Sequence, residues 1–277
     1  MTKITLSLLL ASSLMIAAEV AQDQEKLAAD ITVAKAQKSA AEAKLKSLEA
    51  QLPQNQEIIT HVKLGYIKTD GNANTETFSL DGSFKKAWEK NSATIIFDSQ
   101  YGEAENVENK NKYFFELQYA YAFSDKFSFT YMLGYKNDKF SSFNYQAYTG
   151  PGAKYLAYKS DKQKLDLEGS ILYSQDELQA QNVIAPNNAI TTYGSYQAKL
   201  AYELQILSNL KFNQDLSYRA SVEESDKYFF LSTSALSSKI SDIFSAGVSY
   251  KVDYTNKVAT GIQQRDNTLS AFLSLDY

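Results

Sequence analysis

His61 is the one histidine of the 277-residue chain, and there is no cysteine. An imidazole is the side chain that exchanges protons near neutrality without help from its surroundings. An acyl hydrolase working at a lipid surface would place it beside a serine hydroxyl, on the side where the ester lies. His61 instead sits on the polar side of an alternating run that includes Val62 and Leu64, near what reads as a periplasmic end. It is expected to carry no catalysis, and one His without Cys cannot build a zinc site. The stretch DGNANTETFSLD, residues 70–81, spaces Asp70, Asn72 and Asn74 as a calcium loop would. Thr75 stands where the sharp turn needs Gly, however, and Asp81 is too short to replace the bidentate Glu, so the stretch reads as a hairpin turn. No catalytic residue, metal or cofactor is expected, and the chain reads as a non-enzyme.

The remaining chemistry is distributed. Lys63, Asp81, Lys85, Asp98, Glu116, Asp166, Glu168, Lys199, Glu203, Lys211, Asp215, Arg219, Lys251 and Asp253 all fall on the polar parity of alternating runs. If that parity lines the inside of a barrel, acids and bases are nearly balanced there. Cross-strand ion pairs would then fill much of a modest bore and leave little ion selectivity. Two outcomes stay open: a lumen packed by its own side chains, or a narrow water-filled pore.

The elements that would hold this set are strands. After residue 56, apolar residues recur with a period of two, the signature of a strand with one apolar face. The run from Tyr113 to Phe123 is the clearest, with Tyr113, Phe115, Leu117, Tyr119, Tyr121 and Phe123 alternating with Phe114, Glu116, Gln118, Ala120 and Ala122. Twelve such strands are expected. The sixth, around YQAYTGPGAKYLAY, is expected to bulge or kink at Gly150, Pro151 and Gly152. The tenth is read with Phe229, Leu231 and Ala235 on the apolar face. Connections alternate in length, with short turns near 88–91, 124–126, 159–163, 206–209 and 241–242. Between them lie longer polar stretches: TDGNANTE, GEAENVENKNK, KNDKFSSFN, SQDELQAQNVIAPNNA, SVEESDK and TNKVATGIQQRD. Short periplasmic turns with longer outer loops are the habit of transmembrane barrels, whereas a sandwich has no reason to alternate.

Lipid supplies no hydrogen-bond partner, so such a sheet must close, strand twelve against strand one. The expected fold is therefore all-β: an antiparallel up-and-down transmembrane β-barrel over residues 57–277. A soluble lipocalin-like barrel would show the same alternation with its apolar face turned inward. Aromatic residues near strand ends (Tyr66, Trp88, Tyr101, Tyr113, Phe123, Phe127, Tyr135) are placed as interfacial girdles would be, which favours the membrane form. The chain ends on TLSAFLSLDY, where Leu273, Leu275 and Tyr277 share one face. This end resembles the C-terminal signal read by the barrel assembly machinery of the outer membrane.

Residues 1–18, with Lys3 and an apolar run from Ile4 to Ala18, read as a cleaved secretory signal too short to span a bilayer. From 22 to 52 the period changes to a heptad: Leu27, Ile31, Ala34, Lys38, Ala41, Leu45, Leu48 and Leu52. This is read as a periplasmic helix, a short coiled coil that self-associates or an amphipathic helix resting on a periplasmic partner, ended by Pro53. The net charge of -4, with Lys and Glu scattered, gives no basic face for nucleic acid. The expected location is the outer membrane of a Gram-negative bacterium, with lipid as the principal contact.

VKLGYIKTDGNANTETFSLDGSF, the following KKAWEKNSATI and the later GPGAKYLAY together resemble the salt-induced outer-membrane protein family, a YdiY-like domain of unknown function. Its pattern of Gly-Tyr followed by Thr-x-Gly-Asn falls on Gly65, Tyr66, Thr69, Gly71 and Asn72, and the resemblance spans about 62–277. It implies a barrel and no established activity. The heptad segment lies outside it.

Overall fold

The computed structural model describes residues 31–32, 35–40, 44, 58–69, 75–182 and 189–277. In the segment 22–52 the described residues are helical. The remainder of that segment with most of its heptad seam, the signal segment 1–18 and residues 70–74 of the calcium-like stretch lie outside the described residues.

Residues 56–277 form one compact unit. Twelve strands follow one another: β1 (Ile58–Thr69), β2 (Thr75–Trp88), β3 (Asn91–Ala104), β4 (Val107–Ala122), β5 (Phe127–Asp138), β6 (Phe143–Lys159), β7 (Gln163–Leu178), β8 (Ile190–Leu207), β9 (Leu210–Ser221), β10 (Tyr228–Lys239), β11 (Phe244–Thr255) and β12 (Arg265–Asp276). Each pairs antiparallel with its neighbours in sequence, and β12 pairs with β1, closing the barrel. The seam runs from His61 opposite Asp276 to Gly65 opposite Phe272. Thr60 N donates to Tyr277 O at 2.6 Å and Tyr277 N to Thr60 O at 2.9 Å, so the last residue is part of the ladder. Closure leaves no edge strand whose amides and carbonyls lack partners.

Two neighbouring aliphatic residues decide which parity faces out. Ile171 is 76% exposed and Leu172 2%; Tyr173 is 58% exposed and Ser174 0%. The apolar parity is thus the exterior, and the lipocalin-like alternative is excluded. On that exterior, tyrosine rings stack in rows at the end carrying the longer loops: Tyr113, Tyr135 and Tyr145 in one row, and Tyr196, Tyr218, Tyr228 and Tyr254 in another. Tyr121, Phe123 and Phe127 cluster at the opposite, turn end.

Three local expectations are corrected. GEAENVENKNK is not a loop, because β3 and β4 extend through it to a two-residue turn at Glu105 and Asn106. Both take positive φ (51° and 62°), the backbone hand that suits a tight hairpin between twisted strands. No bulge occurs at Gly150–Gly152: the β5 register is continuous through Gly152, Pro151 and Gly150, and on the β7 side pairing lapses at Gly150 and Pro151 and resumes at Gly152 without a register shift; the β6 irregularities lie at 143–145 and 156–158. In β10 the parity is reversed. Phe229 and Leu231 stand opposite Arg219 and Ser217, whereas Phe230 stands opposite Tyr218 of the exterior row. Tyr228 to Leu231 is apolar throughout, so alternation is lost there and the register with β9 sets the face.

Candidate functional site

The inward parity encloses a cavity of about 410 Å³. Its walls are strands, so each lining side chain is placed by its register. At the loop end, Lys136 of β5 and Lys112 of β4 reach across the lumen to Asp253 of β11, at 2.8 and 3.6 Å; Lys112 also reaches Asp266 of β12 at 3.4 Å. Above them, Ala259 N in the β11–β12 loop donates to Ser142 Oγ in the β5–β6 loop at 2.7 Å. Opposite walls are therefore tied together at this mouth.

Midway, Glu116 of β4 is 1% exposed. It accepts from Lys199 Nζ of β8 at 2.6 Å and from Tyr148 Oη of β6 at 2.6 Å. A buried carboxylate keeps its charge only with such partners. Lys251 pairs with Asp98 at 2.8 Å. Arg219 of β9 lies with its guanidinium carbon 4.4 Å from the Phe229 ring centre and 4.9 Å from that of Tyr148. Its Nη1 donates to Ser174 Oγ at 3.1 Å and to Tyr193 Oη at 3.4 Å. Behind this group, Asp176 accepts from Tyr193 Oη at 2.8 Å and pairs with Lys227 at 2.9 Å. Towards the turn end, Lys63 faces Asp81 at 3.8 Å, Asp166 holds Lys154 and Lys164 at 3.3 and 2.8 Å, and Glu168 accepts from Gln118 at 2.7 Å.

Among the sequence-derived candidates, Lys63, Asp81, Asp98, Glu116, Asp166, Glu168, Lys199, Asp215, Arg219, Lys251 and Asp253 border this cavity. Glu203 lies nearer the turn end, paired with Lys211 at 2.5 Å and Lys164 at 3.9 Å. Lys85 stands opposite Ile59 and Thr94, also at that end. Sequence reasoning missed Lys112, Lys136 and Lys154. The first two fell in stretches read as loops and the third in the strand with an unassigned face. The signal was present: Lys112 continues the parity of Phe114 and Glu116, and Lys136 that of Met132 and Gly134. It also missed that part of the interior is apolar, where Met132, Leu172 and Tyr148 pack together with Phe114 against them.

His61 meets the Asp276 carboxylate across the β1–β12 seam, with no serine hydroxyl as its partner. This pair belongs to barrel closure. Among the described residues no group of three or more acidic or His side chains is placed to hold a metal ion.

A family described as "Protein of unknown function, DUF481" matches residues 62–277, the whole barrel from the seam of β1 onward. The chain belongs to this family. No curated protein matches it. Among solved structures the chain is similar to a NanC porin (11% identity, TM-score 0.47), with 79% of this chain and 98% of that one covered. The KdgM porin in complex with disordered oligogalacturonate gives 11% identity and a TM-score of 0.42, covering 78% of this chain and 99% of that one. The translocator domain of the autotransporter NalP from Neisseria meningitidis gives 11% and 0.43, covering 90% and 97%.

Proposed function

We propose that this DUF481 barrel is an integral outer-membrane protein of a Gram-negative bacterium whose lumen is a narrow, weakly selective path for ions or small solutes. The observation that carries the reading is the division of the two parities: exposed aliphatic and aromatic side chains outside, a charged cavity inside. In water, an exposed Ile or Leu forgoes about 1.5–3 kcal/mol relative to burial, and a whole ring of them would drive aggregation. In a bilayer the same surface is solvated by acyl chains, the tyrosine rows suit the headgroup level, and the closed ladder meets the absence of water. The lumen, in contrast, holds acids and bases in pairs beside one apolar patch, an arrangement that suits small hydrated solutes and discriminates little by sign. The longer loops then face outward and the turn end faces the periplasm.

The test is single-channel recording of the purified, detergent-refolded chain in planar bilayers. Small, resolved conductance steps with a reversal potential near zero in a salt gradient are expected. A bilayer that stays silent while the inserted protein is shown to be folded would reject the channel reading in favour of a filled, structural barrel.

A further inference from the structure

We propose that Arg219 is the lumenal docking point for the oxyanion group, carboxylate or phosphate, of a small solute. The proposal rests on the reading of the lumen as a solute path. Each lysine lining the cavity has a carboxylate within ion-pair distance: Lys63 has Asp81, Lys112 and Lys136 have Asp253, Lys154 has Asp166, Lys199 has Glu116, and Lys251 has Asp98. Arg219 borders the same cavity, is 6% exposed, and has no such carboxylate among the described residues. A buried cation without a counterion is costly, and native structures keep one where something else supplies the charge.

The surroundings fix the guanidinium without neutralising it. The rings of Tyr148 and Phe229 lie against it, and Nη1 is held by the Ser174 and Tyr193 hydroxyls. Nε and Nη2 make no hydrogen bond among the described residues. Two donors of one planar fork are thus left, the geometry that binds a carboxylate or phosphate through two parallel bonds. Tyr148 is itself immobilised by Glu116, so the fork is ordered before the solute arrives. A cavity of about 410 Å³ has room for a monosaccharide-sized acid beside it.

The experiment uses the full chain refolded in detergent and three probes of similar size: glucuronate, glucose 6-phosphate and glucose. Isothermal titration reads binding directly, and bilayer recordings separately read current interruptions. Saturable binding of one or both acids, with none for glucose, is expected; whichever acid binds identifies the preferred group. Arg219→Met should weaken that binding at least tenfold and Arg219→Lys, which keeps charge and loses the fork, by an intermediate factor. Lys211→Gln, which removes a charge paired with Glu203 outside the cavity lining, should leave it within about twofold. Each variant is first checked for heat-modifiable mobility, and Arg219→Lys serves alone if the Met form does not fold. No binding by the wild type, or equal binding by the Arg219 variants, would overturn the proposal even if the barrel conducts. Binding by a barrel that does not conduct would leave this site standing and reject the channel reading alone.

Discussion

Glu116 shows how a single side chain can set the state of the lumen. Its carboxylate accepts from Lys199 and Tyr148 at once, bridging β4 to β6 and β8 through the barrel interior. Glu116→Gln keeps the shape and removes the charge, leaving Lys199 without its counter-charge and with one acceptor oxygen in place of two. Buried charged hydrogen bonds of this kind contribute about 1–3 kcal/mol when one partner is removed. A loss of that order should appear in the urea unfolding midpoint of the refolded barrel, and an unchanged midpoint would mean that water replaces the bond without cost. Asp253 plays a different part, because it receives both Lys136 and Lys112 from the opposite wall. Asp253→Asn should release Lys136 from the loop-end crossing and leave Lys112 held by Asp266 alone. Single-channel conductance is expected to rise and the reversal potential to shift towards anion preference; a smaller conductance would contradict this account of the loop-end crossing.

At the scale of elements, strands fit together through paired large and small residues. Tyr148 of β6 stands opposite Gly134 of β5, and a Cβ at residue 134 would fall onto its ring. Phe272 of β12 likewise lies between Gly65 and Gly247 of the adjoining strands, and a Cβ on Gly247 would come within 2.7 Å of the ring. Gly134→Val should therefore displace Tyr148 and loosen both Glu116 and Arg219. An overpacking loss of about 1–3 kcal/mol is expected in the same unfolding assay. The closing strand carries a second prediction. Tyr277 is 82% exposed while its backbone pairs with Thr60, so its side chain is presented outward at the seam. We propose that Leu273, Leu275 and Tyr277 are read by the assembly machinery. Deleting Tyr277 should then reduce the heat-modifiable, membrane-inserted fraction far more than deleting Lys257 from the β11–β12 loop, and equal yields would count against it. Legibility in the sequence followed the same physics. β4 could be read because a large apolar residue recurs at every second position from Tyr113 to Phe123, and β12 because Leu and Ser alternate. β10 could not, since Tyr228 to Leu231 is apolar throughout and only pairing with β9 sets its face. The β3–β4 turn was hidden because Lys110 and Lys112 look like loop residues until a strand turns them inward, where Lys110 meets Thr268 and Lys112 meets Asp266.

For the whole molecule, closure and the direction of the two parities follow from one another. Twelve strands can close only if each half-apolar sheet face turns to one solvent, and the exposures at Ile171 and Leu172 put the apolar one outside. The sequence carried the period of two but not its direction, since a barrel in water and one in lipid alternate alike. Which side chains meet across the bore, such as Lys136 with Asp253 from strands on opposite walls, depends on barrel curvature and was not legible at all. The chain has no cysteine, so a single introduced thiol reports on one position. Thr233 borders the cavity, and Val248 is exposed on the exterior. The most direct test is single-channel current through Thr233→Cys and Val248→Cys barrels during addition of a charged, membrane-impermeant thiol reagent. A step change in current through the Thr233→Cys barrel, with no response from Val248→Cys, is the predicted result. Current that responds at Val248 and not at Thr233, or no current from either folded protein, would contradict a water path lined by the polar parity.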